Sequence, residues 1–493
     1  MQVEPSGSLS VVFSEPFFLF FFLPVILTLY FLTPAKGRNA VLSLASLVFY
    51  AAGEWGFLGW LVASVAVNYW IGRGIERTRG SLWAKRLLAI GIVSDLSLLV
   101  VFKYGGFLTE TLNAILNQAG VPRFGVPHLL LPLGISFFTF HKISYKVDVY
   151  RGDAEARKAP FDLALYILLF PQLIAGPIVR YHEIAGEIVR RVYTRADFAE
   201  GIRRFVTGLG KKLIIADTVA VCADRVFALP GPEVTTGLAW LGVVCYTLQI
   251  YFDFSGYSDM AIGLARMFGF HFPENFSYPY ISRSITDFWG RWHMSLSRWF
   301  RDYLYIPLGG NRRGPGRTYV NLVTVFFFCG LWHGASWLFV IWGMFHGLLL
   351  VVERVGFGRL LERTWRPISH VYAVLMVMIG WVLFRSNTLE QAWQFLTAMA
   401  GFASGRSSTL SPTEFLNREF VLALAIGVLG STPIPSAWRG GVERVRRSLP
   451  GPAGVAFDVA SKTAGVACFA AVLLYASALM ASGTYSPFIY FRF

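Results

Sequence analysis

Apolar stretches of near bilayer-crossing length recur along the whole chain, at 16–32, 40–53, 57–72, 87–103, 129–147, 206–228, 238–265, 370–384, 414–430 and 460–482, and they restrict its fold more than any other feature. A hydrocarbon core of about 30 Å takes roughly 20 apolar residues to cross as a helix. In lipid each backbone amide must be satisfied within the segment, so the stretches are expected to be helical. Over 493 residues, 55% hydrophobic and 15% charged, the chain carries more apolar surface than a soluble domain can bury. The expectation is an all-α polytopic membrane protein built as a single domain over 1–493. Glu4 and Glu15, with no basic region, accompany the first run, which reads as a retained helix rather than a cleaved signal peptide.

The formal charge of +15 is spread over short loops rather than gathered on one soluble face, so membrane topology explains it and no nucleic-acid partner is expected. Lys36 and Arg38; Arg73, Arg77, Arg79, Lys85 and Arg86; Arg151, Arg157 and Lys158; and Arg439, Arg444, Arg446 and Arg447 are assigned to the cytoplasmic side. The 104–128 and 386–413 loops, poor in Lys and Arg, then face outward, as do both termini. Cys222, Cys245, Cys329 and Cys468 lack CxxC or metal-ligand spacing, so neither a disulfide framework nor a metal site is expected.

Two stretches break the alternation. Residues 161–181 are apolar, contain Pro171, Gly176 and Pro177, and have basic sequence on both sides, as a re-entrant or in-plane segment would. Residues 318–352 would make one helix of about 50 Å, too long for the bilayer core. Their basic ends, Arg312, Arg313 and Arg317 against Arg354, predict two half-length or tilted helices meeting near 330–334, with His333 at the apex, deep in the membrane.

In a helix through 328–342, His333 would share a face with Cys329, Gly330, Ser336 and Trp337. An intramembrane ionisable residue is by default a functional candidate, the alternative being a core histidine bonded to a nearby carbonyl. His346 lies about 220° further round such a helix and is expected at the interface. Upstream, Ser284 and Asp287 form a helix-start signature, and Asp287/Arg291 and Arg298/Asp302 stand at i,i+4. Trp289, His293 and Ser297 would then share one face, either of an amphipathic interfacial helix anchored by Trp and Arg or of a helix lining a site. The turn-rich IPLGGNRRGPG suits contact with the phosphates of a cytosolic donor. Asp253 and Asp259 sit in an apolar run, where a carboxylate must be paired or line water.

Taken together, VFSEPFFLFFFLPV near the start, NYWIG at 68–72, LPLGISFFTFHKISYKVDVYRG at 131–152, FPQLIAGPIVRY at 170–181, YFDFSGYSDMAIGLARMFGF at 251–270, ENFSYPYISRSITDFWGRWHMSLSRWFRDYLYIPLGGNRRG at 274–314, GLWHGASWLFVIWGMFHG at 330–347 and SPFIYFRF at the end resemble the membrane-bound O-acyltransferase (MBOAT) superfamily, in its alginate O-acetyltransferase branch. The resemblance implies a ring of tilted transmembrane helices with re-entrant segments around a central funnel and tunnel. It implies acetyl-CoA as the cytosolic donor, no tightly bound cofactor, a bacterial inner membrane with periplasmic termini, and a periplasmic polysaccharide acetyltransferase as partner. The family's active-site histidine falls on His333 and its second histidine on His293, while His141 departs from the family pattern of Gln or Glu.

Acetyl transfer from a thioester to a hydroxyl needs a base for the hydroxyl proton and donors for the oxyanion. An imidazole suits the first task at neutral pH. His333 is therefore assigned as general base and His293 as its helper in orientation, proton handling or oxyanion stabilisation. Asp253, Asp259, Arg291, Trp292, Arg298, Asn311, Trp332, Cys329 and Ser336 are the candidate lining residues. A covalent route through Cys329, i−4 to His333, is the second chemistry. Competing functions are a teichoic acid D-alanyl transferase with a carrier-bound donor, a transporter or channel, and an export scaffold without catalysis.

Overall fold

The computed structural model describes residues 12–127, 129–403, 408, 410–482 and 488, and every regular element among them is helical. The expected outward termini fall on 1–11, 483–487 and 489–493, outside the described residues. In chain order, α1 (Leu23–Leu32), α2 (Arg38–Glu54), α3 (Leu58–Arg77), α4 (Leu82–Leu99), α5 (Gly105–Gln118) and α6 (Ile135–Arg151) come first. The short α7 (Pro160–Leu168), α8 (Phe170–Leu173) and α9 (Tyr181–Val189) lead to α10 (Arg195–Gly210), α11 (Asp217–Phe227) and α12 (Thr236–Met267). Then follow α13 (Ile285–Trp289), α14 (Met294–Phe300), α15 (Gly314–His333), α16 (Trp337–Val352), α17 (Gly358–Arg363), α18 (Arg366–Arg385), α19 (Leu389–Met399), α20 (Arg418–Gly430), α21 (Ile434–Ser448) and α22 (Gly451–Ala481). Proline opens α7, α15 and α18, where its missing N–H is harmless. Ser81, Thr194, Thr235 and Thr388 cap α4, α10, α12 and α19 by accepting a first-turn N–H.

Among the described residues, six helical segments are long and apolar enough to cross a membrane: Ala35–Arg77, Leu82–Gln118, Thr236–Met267, Trp337–Arg363, Arg366–Arg385 and Gly451–Ala481. The expected loop 104–128 is largely helical, because α4 runs through a π turn at Val100–Tyr104 directly into α5. Likewise α19 lies within the expected loop 386–413. The stretch 161–181 is broken as anticipated, into α7, α8 and an irregular segment, and is buried almost throughout by surrounding protein.

Helix α12 is the buried post of the fold. Its glycines explain how α10 comes so close: a Cβ on Gly208 would meet the Gly256 carbonyl, and one on Gly201 the Gly263 carbonyl. Small residues at both crossing points let the backbones touch, which is how helices associate where lipid removes the hydrophobic drive. Helix α6 is the second buried element, and its two buried lysines are paired with a carboxylate on a neighbouring helix. Lys142 and Lys146, both 0% exposed, share the carboxylate of Asp95 on α4, and Lys146 also donates to Asn68 Oδ1 at 2.5 Å. The hairpin of α15 and α16 closes on a third glycine contact, where a Cβ on Gly330 or Gly343 would run into the carbonyl of Phe339 or Phe326.

Candidate active site

Helix α15 ends at His333 because Gly334 turns to extended backbone and Ser336 restarts the chain as the N-cap of α16. Gly334 is required by proximity, since a Cβ there would enter the ring of Phe339. The expected break is thus present. Its arms are not half-length, however: α15 alone has 20 residues, about 30 Å of helix. The break also overturns the shared face with Ser336 and Trp337. Ser336 is the N-cap residue of the next helix, without a side-chain capping bond, and Trp337 is 57% exposed.

His333 is 4% exposed, with ring centroids of Trp332, Trp342 and Phe384 at 4.9, 5.0 and 5.2 Å. Lys103, in the π turn of the α4–α5 helix, donates to the carbonyls of Trp332 at 2.5 Å and His333 at 3.4 Å, and Tyr104 donates to Leu331 at 2.7 Å. Three consecutive carbonyls at the end of α15, left without helical partners, are satisfied by two neighbouring side chains. Sequence reading missed both residues. A lysine at the end of an apolar run looks like a border residue, and only the π turn aims it at another helix.

His293 corrects the interfacial reading. It is 0% exposed and does not lie on a helix face: α13 stops at Trp289, and His293 adopts a left-handed φ of 43° before α14. A non-glycine residue there is strained by about 1–3 kcal/mol and persists only where the surroundings enforce it. They do so through Met294 N donating to the Asn275 carbonyl at 3.0 Å and Ser277 N to the Arg291 carbonyl at 3.0 Å. The Asn275 amide oxygen also accepts from Ser295 N at 3.3 Å and Ser295 Oγ at 2.8 Å, which settles its orientation. His293 Nδ1, 3.1 Å from that oxygen, must therefore be the protonated nitrogen. In the neutral ring Nε2 carries the lone pair, and it has no partner among the described residues. The α13–α14 turn lies outside the candidate spans, and burial pushes the His293 pKa down, keeping the ring neutral. Its ring stands 6.0 Å from Trp332, so both histidines pack against the same tryptophan.

His346, expected at the interface, is 1% exposed and 5.1 Å from the Trp342 ring. The rotation argument failed because it assumed one continuous helix.

The other candidates divide. Cys329 is buried one turn before His333 in α15. Trp292 packs against Trp381 at 4.9 Å and supports the His293 turn from behind. Arg291 pairs with Asp287 at 2.7 Å, as its spacing predicts. Arg298 does not pair with Asp302, which binds Arg301 and Arg180 instead, because the helix changes to a π turn at Arg301–Tyr305. Asp253 is 3.0 Å from Lys212, and Asp259 is 2.7 Å from both Arg204 and Lys211, so both are ion-paired. Asn311 accepts from Tyr305 in an exposed turn. His141 is buried 5.5 Å from Tyr166, on α6.

The fold is that of a polytopic helical protein, and two of its buried histidines pack against one tryptophan. The model of the MBOAT, membrane-bound O-acyltransferase family, matches residues 123–389, and the chain belongs to this family. It is similar to the probable alginate O-acetylase AlgI of Azotobacter vinelandii, at 45% identity over 504 residues, covering 98% of this chain and all of the relative. Similarity to the protein of that name from Pseudomonas aeruginosa is 48% over 423 residues, covering 85% and 79% of the two chains. The peptidoglycan O-acetyltransferase of Helicobacter pylori is 37% identical over 450 residues, covering 83% and 84%. The chain is a multi-pass membrane protein and an O-acyltransferase.

Proposed function

We propose that this chain takes acetyl groups from acetyl-CoA on the cytosolic side of a bacterial inner membrane and passes them through a tunnel, within a ring of tilted helices, for O-acetylation of an exported polysaccharide such as alginate. A periplasmic acetyltransferase completes the transfer on the side of the termini, and no tightly bound cofactor takes part. Exposed Arg312 and Arg313, beside Asn311, suit the donor's phosphates.

His333 acts as general base. It takes the proton of the attacking hydroxyl as that oxygen bonds to the thioester carbon, and after the C–S bond breaks the imidazolium returns the proton to the thiolate. The resting tautomer of His293 favours proton handling over oxyanion donation, because its Nδ1–H is committed to Asn275 and its Nε2 can only accept. The observation that carries this reading is the burial of His333 at the end of α15 among Trp332, Trp342 and Phe384, with His293 packed against the same Trp332.

Membrane vesicles given labelled acetyl-CoA and polymer test it. His333→Ala is expected to fold, insert and lose transfer by about 100-fold or more. Transfer at the wild-type rate would overturn the assignment. Label that never moves from acetyl-CoA in the wild type would point to a carrier-bound donor.

A further inference from the structure

A cavity of about 710 Å³ is lined by four arginines, Arg283, Arg291, Arg354 and Arg359, and by no histidine. Its volume suits a small-molecule ligand, such sites spanning about 300–1,000 Å³. It stands at a membrane face. The candidate spans Trp337–Arg363 and Arg366–Arg385 are joined through Thr364 and Trp365, and Leu350, Glu353 and Glu362 of the cavity wall belong to the last part of the first span. Trp365 is exposed, as tryptophans at the headgroup level are.

The wall is built by specific contacts. Glu353, buried at the end of α16, accepts from Ile285 N at 2.6 Å, Thr286 N at 2.9 Å and Thr286 Oγ1 at 2.6 Å, which ties the start of α13 to α16. The chain then kinks at Gly356, and Gly358 passes so near the Glu353 carbonyl that a Cβ would lie 2.8 Å from it. Arg354 and Arg359, on the two sides of the kink, thus line the same cavity as Arg283. Three carboxylates accompany the four arginines: Asp287, Glu353 and Glu362. Asp287 is bound to Arg291 at 2.7 Å, and Glu353 is engaged by the α13 amides. Among the described residues Arg283, Arg354 and Arg359 make no ion pair or side-chain hydrogen bond, and Glu4 is the one acidic side chain outside them. Were Glu4 and Glu362 both to pair with these arginines, one of the three would still lack a counter-ion.

What complements this charge is an anion whose oxygens match the arginine fork, and phosphate does so bidentately. The surroundings choose among phosphates. Leu322 and Leu350 belong to the wall, and Val352, Val355 and Leu360, close to Arg354 and Arg359 in the chain, are exposed apolar side chains at the end of a membrane span. A soluble nucleotide leaves such side chains uncovered, whereas a phospholipid sets its acyl chains against them while its phosphate meets the arginines. Basic pockets between membrane helices bind anionic headgroups in this way. We propose that Arg283, Arg354 and Arg359 hold the headgroup phosphate of an anionic phospholipid. Helix α16 starts three residues after His333 and ends at this cavity, so the lipid fixes the end of the α15–α16 hairpin remote from the break.

Purified protein in a neutral detergent, incubated with radiolabelled phosphatidylglycerol and captured on resin, gives the test. Arg283→Gln, Arg354→Gln and Arg359→Gln should each weaken retention about fivefold, and the triple variant about 100-fold, as expected for arginines near an anionic lipid surface. Melting temperature, measured on each variant without lipid, should stay at the wild-type value, because these side chains are exposed. Wild-type retention should fall as salt is added, and phosphatidylcholine, whose phosphate carries its own counter-charge, should be held weakly by wild type and variants alike. Wild-type retention in the triple variant, or equal retention of phosphatidylcholine by the wild type, would overturn the proposal. So would displacement of the lipid by coenzyme A or inorganic phosphate at concentrations below that of the lipid, which would make the ligand a soluble phosphate. Retention is read without acetyl transfer, so these outcomes are separate from those of His333→Ala.

Discussion

The amide oxygen of Asn275 holds Nδ1 of His293 at 3.1 Å while accepting two bonds from Ser295, so one asparagine fixes the tautomer of a histidine and the turn that carries it. Its Nδ2 is engaged in turn by Ser258 Oγ at 3.0 Å. Asn275→Leu should abolish this acceptor, destabilise the protein by roughly 1–3 kcal/mol through unpaired buried donors, and reduce acetyl transfer further than that loss explains. Asn275→Asp keeps the acceptor and should retain more activity. Equal rates in both, measured in vesicles, would show that the tautomer is not limiting.

The Lys103 ammonium is expected to matter through position. Lys103→Met should leave the carbonyls of Trp332 and His333 without their donor and lower kcat about 10-fold or more, as expected when reacting groups are displaced slightly. Tyr104→Phe, which frees only the Leu331 carbonyl, should have the smaller effect. The measurement is initial rate at saturating donor.

Asp95 balances two buried lysines. Asp95→Asn should destabilise the detergent-solubilised protein by about 3–5 kcal/mol, as removal of one partner of a buried pair does. Lys142→Met leaves the Lys146 pair intact and should be far milder. Thermal unfolding followed by size-exclusion chromatography reads the difference.

His182, on α9 outside the spans, has its pKa raised chiefly by the hydrogen bond of Nδ1 to Asp148 at 2.9 Å. A folded pKa above the unfolded value of about 6.5 means stabilisation fully present below that pH and lost as pH rises through the folded value. The melting temperature of the wild type should therefore exceed that of His182→Gln more at about pH 6 than at about pH 8.5.

Gly343→Ala should disrupt the α15–α16 hairpin, because the methyl meets the Phe326 carbonyl, which belongs to a rigid helix and cannot move aside. A loss of about 1–3 kcal/mol, with parallel loss of activity, is the expected result. Normal melting and activity would show that the crossing is looser than its geometry.

The class of fold was legible because apolar length is a property of sequence alone. So were the Ser284 cap, the Asp287–Arg291 pair and the break near His333, since each depends on residues a few positions apart. The misreadings share one cause. His293 and His346 were placed by extrapolating helical rotation through points where the chain stops being helical. Asn275 and Lys103 were invisible for another reason: each acts on a residue 18 or 230 positions away, and neither interval carries a periodic signal.

Helix α15 begins beside the exposed arginines at 312 and 313 and ends on His333, 20 residues later. At about 1.5 Å and 100° per residue, one inserted residue would lift the imidazole by the length of a bond and swing it more than a quarter-turn away from Trp342 and Phe384. The helix is in effect a ruler with discrete marks. Between the basic turn and His333 the chain tolerates substitution by degree, but a change of length comes in steps that the three-carbonyl clasp of Lys103 and Tyr104 would not recognise.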